Sequence, residues 1–131
     1  MKSIRLTFCI SVIIFLFAIS LTSAANHQYP PELARIIECY PNGEVHNAMK
    51  KENEVAAAVL AVGATDDDEV FGFYKDSLST KGWKVGPKMK NPVMKMSVME
   101  FTKGNSRLNV GTMDYNIGKK KGIMINLSLE Q

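Results

Sequence analysis

The chain has 131 residues, 16 basic and 13 acidic side chains, and a formal charge of +3. Two of the basic residues, Lys2 and Arg5, belong to an N-terminal segment with the pattern of a removable leader, and without them the net charge is +1. So even a balance lacks the clustered positive field that displaces counterions from phosphate, which excludes nucleic acid as the expected partner. A length of this order makes one domain around one core.

Met1 to Arg5 is a short positive start, Leu6 to Leu21 is an apolar run without a charge, and Thr22-Ser23-Ala24-Ala25 offers small residues for cleavage. This is the layout of a secretory signal over residues 1–25, cut after Ala24 or Ala25, and it implies a periplasmic or secreted protein. A spanning helix wants about 20 predominantly apolar residues, whereas this run is shorter and carries Thr7, Cys9, Ser11 and Ser20. Cys9 lies inside the run behind bulky Phe8, unlike a lipid-attachment cysteine, and nothing after Ala25 is apolar for long enough to span a bilayer. Removal of Cys9 leaves Cys39 alone, so no internal disulfide is expected, and a buried small hydrophobe is the plainer role for it.

Residues 26–31 read as a flexible polar leader and 32–131 as a single α+β domain. Pro31 suits the first position of a short helical turn over Glu32–Glu38. Tyr40-Pro41-Asn42-Gly43 is a turn, since proline fixes one dihedral and Asn-Gly accepts positive φ. Val45–Lys50 and Glu54–Val62 are expected as a hairpin turning at Glu52-Asn53. The continuously apolar Val55–Val62 fits a strand covered on both faces better than a helix buried all round. Thr65-Asp66-Asp67-Asp68 caps a helix and suits its positive end, and Val70, Phe73, Tyr74, Ser77 and Leu78 fall on one face. Gly82 stops that helix in the left-handed conformation, folding Trp83 back onto Leu78.

Beyond Trp83 the period is two. Lys84–Met89 carries Pro87 and reads as an edge strand or a bulge. Val93–Lys103 and Ser106–Tyr115 flank the hairpin signal Gly104-Asn105. With Lys103 opposite Ser106, Phe101 pairs with Leu108 and Met99 with Val110 on one face. The other face then pairs Val98 with Gly111, Met96 with Met113 and Met94 with Tyr115. Ile123, Ile125, Leu127 and Leu129 alternate cleanly in a last strand. The expected fold is an antiparallel sheet of five to six strands, in β-β-α-β-β-β-β order, under one main helix.

The acidic cap followed by Val70, Phe73-Tyr74, Leu78 and Gly82-Trp83 resembles a pattern of small uncharacterised bacterial secreted or envelope domains. Their helix reads Val-x-x-Phe-Tyr-x-x-x-Leu-x-x-x-Gly-Trp after an acidic cap, with an upstream Tyr-Pro-Gly-like turn, here Tyr40-Pro41-Asn42-Gly43. Asn42 is an insertion relative to that turn, and the lipidation cysteine many of these proteins carry is lacking. The resemblance implies the fold and favours strands over Val45–Val62; it supplies no catalytic set.

Candidate chemistry is sparse. Cys39 and His46 are the nearest approach to a nucleophile and base, yet no third group announces itself to orient the imidazole, so no enzyme is expected. Asp66-Asp67-Asp68 lacks the spacing of a calcium loop and is explained by the helix dipole. Met94-x-Met96-x-x-Met99 has the thioether density that suits copper or another soft metal, although methionine more often fills apolar gaps. No cofactor is expected. The leading expectation is a non-enzymatic binding or assembly module of the cell envelope. Its binding surface would be the sheet face carrying Met94, Met96, Met113, Tyr115 and Met124, and its partner an envelope protein or a small apolar ligand. Lys119-Lys120-Lys121 forms a basic loop open to anionic head groups, or simply a solvated turn that discourages edge pairing.

Overall fold

A computed structural model describes residues 28–131. The secretory signal expected over residues 1–25 and the first residues of the expected leader lie outside the described residues. Tyr29 and Pro30, by contrast, belong to the packed domain: Pro30 is buried, and the Tyr29 hydroxyl donates to the Ile37 carbonyl at 2.9 Å.

Helix α1 is a single turn, Pro31–Ala34, with proline at its first position, and it drives Leu33 and the following Ile37 fully into the core. The chain reverses at Tyr40–Gly43, where the Gly43 amide donates to the Tyr40 carbonyl at 2.8 Å and Asn42 takes φ 60°. Strands β1 (Gly43–Lys50) and β2 (Glu54–Val62) follow as the expected hairpin. Helix α2 (Asp67–Ser79) is capped by Asp66, whose side chain accepts from the Asp68 amide. It ends as its glycine dictates: Gly82 sits at φ 89°, and the Trp83 amide returns to the Leu78 carbonyl at 3.1 Å. The buried face of α2 is Val70, Phe71, Tyr74 and Leu78, so it includes Phe71 where periodicity favoured Phe73 and Ser77. Phe73 is instead half-buried at the rim, edge-on to Tyr40 at 5.1 Å.

Strands β3 (Lys84–Asn91), β4 (Met96–Lys103), β5 (Ser106–Ile117) and β6 (Lys120–Glu130) complete one antiparallel sheet in the order β1-β2-β6-β5-β4-β3. β3 is an edge strand with a register shift between Val85 and Lys88, around Pro87. The β4–β5 register pairs Phe101 with Leu108, Met99 with Val110, Val98 with Gly111 and Met96 with Met113. Met94 does not continue that ladder. It lies in the β3–β4 turn, and Tyr115 pairs with Gly122 on the other side.

The core fills the space between α2, α1 and one face of the sheet. Val55, Val59, Met99, Phe101, Leu108, Val110, Ile125, Leu127 and Leu129 all point to that inner face and are buried. The opposite, outer face has no element laid across it among the described residues.

Candidate functional site

Antiparallel registers place outer-face residues in rows across the strands. One row runs Asn47, Ala58, Asn126, Gly111, Val98 from β1 to β4. The next runs Met49, Ala56, Ser128, Asn109, Glu100. Small residues therefore occupy the middle strands and larger ones the flanks, and the result is a groove of about 410 Å³. Ala56, Ala58 and Gly111 form its floor, and Met49, Met96 and Val98 form its walls. Asn47, Asn109, Asn126 and Ser128 are the polar groups within reach of an occupant, and no charged side chain lines it.

Both ends of the groove are defined. At one end Glu54 accepts from the Ser128 hydroxyl at 2.8 Å, and Arg107 is held by Glu100 at 2.7 Å and Glu130 at 3.6 Å. The other end is closed by rings. A register shift between Val45 and Asn47 is a bulge, which lets His46 share the outer side with Asn47. His46 meets Tyr115 edge-on at 5.7 Å, although their strands are separated by β2 and β6. Beneath this bridge Leu60 is fully buried, even though it is on the outer face and outside the main core. His46 Nε2 lies 3.4 Å from Glu44, and Lys120 reaches the same carboxylate at 2.7 Å, which holds its pKa below the usual range.

The sequence-derived surface is thus divided. Met96 lines the groove, and Met113 and Met124 share its row beside Leu60. Tyr115 helps close the end, while Met94 is exposed on a turn away from the ladder. The Met94, Met96 and Met99 trio does not converge: Met99 faces the core, 5% exposed, through the opposite side of the sheet. Of the basic loop, Lys120 is tied to Glu44, and Lys119 and Lys121 are exposed.

Cys39 and His46 also lie on opposite sides. Cys39 packs half-buried on the core near Tyr29 and Tyr74, where burial pushes its thiol pKa up, away from a reactive thiolate. The acidic run is engaged structurally. Asp66 caps the helix, Lys88 bonds Asp68 at 2.6 Å, and Asp67 accepts from the buried Ser97 hydroxyl at 2.9 Å.

Sequence reasoning missed Asn47, Met49, Ala56, Ala58, Asn109, Gly111, Asn126 and Ser128 as groove residues. The alternation of small residues with buried ones in Glu54–Val62 was the available signal, but it needed the β2–β6 pairing to acquire meaning.

Searches of curated proteins and of solved structures return no match to this chain. A family model described as START domain-like matches residues 45–121, from β1 into the start of β6. That span is more than half of the sequence and contains most of the groove. The chain belongs to the START domain-like family.

Proposed function

We propose that the protein is a non-enzymatic binding module of the cell envelope, exported by its N-terminal signal, that takes a small apolar ligand in the outer groove. The observation that carries this reading is the concavity itself. It has a floor of alanine and glycine, adaptable methionine walls, and four neutral polar side chains to orient an occupant. Its volume of about 410 Å³ lies within the range of small-molecule sites, which are mostly apolar with a few placed polar groups. Membership in the START domain-like family supports a small ligand-binding domain.

Gly111 gives a direct test. A Cβ there would make only ordinary contacts, none closer than 3.7 Å, so a side chain can grow into the groove from an undisturbed strand. An anilinonaphthalene sulfonate dye should bind the native protein saturably at one site, and Gly111→Leu should abolish that binding. Trp83 fluorescence would confirm that the variant remains folded. Undiminished dye binding in folded Gly111→Leu, or no binding to the native chain, would sink the proposal.

A further inference from the structure

The row beside the groove runs Leu60, Met124, Met113, Met96 across β2, β6, β5 and β4. Three consecutive strands each contribute a methionine to the same face, and each methionine is the direct cross-strand partner of the next. We infer that Met96, Met113 and Met124 form a site for a soft monovalent metal ion, Cu(I) or Ag(I).

Geometry carries the first part of the argument. Lateral neighbours on one face stand about 5 Å apart, so the two outer methionines flank Met113 from either side within side-chain reach. Methionine is unbranched, with three rotatable bonds, and side chains of that kind can swing from both flanks onto one ion held above the middle strand. Met113 is already turned along the face. Its Sδ lies 4.0 Å from Nδ2 of Asn126 on β6, so this thioether leans over the neighbouring strand that carries Met124.

Chemistry carries the second part. Thioethers are soft, neutral donors, suited to Cu(I) and Ag(I) and poor for magnesium, calcium or zinc. The one carboxylate of the row, Glu44 opposite Leu60 on β1, is already engaged by Lys120 at 2.7 Å, and the other end is Asn91, the partner of Met96 on β3. Access and shelter are combined. Met113 is 38% exposed, whereas Met96 and Met124 are half-buried, beside fully buried Leu60. An ion can reach the sulfurs from solvent and then sit against an apolar wall. Met94 and Met99, the other members of the dense sequence run, are outside the site, one on a turn and one in the core.

The test uses the full chain with its methionine methyl groups labelled with carbon-13. One equivalent of Ag(I) should shift the methyl resonances of Met96, Met113 and Met124 and leave those of Met49, Met89 and Met99 in place. In competition with a bicinchoninate chelator, Cu(I) should bind one to one. Met113→Leu and Met124→Leu preserve volume and fold. Each should weaken binding at least about 100-fold, since even outer-shell partners of a metal can be worth about that much. Cys39→Ser should leave affinity unchanged. Loss of binding in Cys39→Ser, undiminished affinity in both leucine variants, or binding weaker than micromolar would overturn the inference. The groove and the metal site are separable, because Gly111→Leu should lose the dye and retain the ion.

Discussion

Tyr74 sits at the centre of the helix–sheet interface, fully buried, with its ring edge-on to Phe73 at 5.1 Å and stacked near Tyr40 at 6.4 Å. Its hydroxyl has no hydrogen-bond partner among the described residues, and burial pushes its pKa well above the ordinary tyrosine value. An unpaired buried hydroxyl costs desolvation without return. Tyr74→Phe is therefore expected to leave stability unchanged or to raise it by about 1 kcal/mol in urea unfolding. A clear loss would reveal a partner for the hydroxyl. Asp67 makes the opposite case. Burial works to raise its pKa, but the Ser97 hydroxyl and the Lys88 ammonium outweigh that and hold the carboxyl below its usual value. A carboxyl with a lowered folded pKa stabilises the fold above the unfolded value near about 4, and the contribution fades as pH falls through the folded one. Asp67→Asn should accordingly cost about 1 kcal/mol or less at neutral pH, the pair being partly solvated. The difference from the native chain should close on acidification, as read from unfolding curves across the acid range.

At the scale of the element, local signals were legible and long-range ones were not. Gly104-Asn105 fixed the β4–β5 register from Lys103–Ser106 down to Met96–Met113, because a tight turn leaves no freedom to slip. Gly82 and Trp83 ended α2 as their chemistry requires. The face of α2 was misplaced at Phe71, since three aromatic residues lie within four positions and only packing decides which two turn inward. Phe71 turns into the core, and Lys88 from the edge strand lies 5.0 Å over its ring. The β2–β6 pairing has no turn to announce it, so neither did the groove it floors. Two glycines of the outer face separate these effects. At Gly122 a Cβ would collide with the Ala61 backbone carbonyl across the β2–β6 seam, whereas Gly111 has room. Gly122→Ala should destabilise by about 2 kcal/mol or more, within the range for a forced backbone shift, while Gly111→Ala should be nearly neutral. Equal effects in denaturant titrations would contradict the close approach at that seam.

Across the whole molecule the sheet is open, and its edges are guarded differently. β3 carries Lys84, Lys88, Lys90 and Pro87, and β1 carries the bulge at His46, both devices that discourage edge-to-edge pairing. Between them β6 is paired along its length on both sides, to β2 and to β5. It alone joins the β1–β2 hairpin to the β3–β4–β5 meander. Among the six strands it is also the last to leave the ribosome, although it stands third in the sheet. Until β6 emerges, the hairpin and the meander have no common partner, and the apolar face that α2 must cover lacks its middle. Folding of this domain therefore follows its own translation instead of accompanying it, and the nascent chain stays uncommitted until the strand ending at Glu130 has been made.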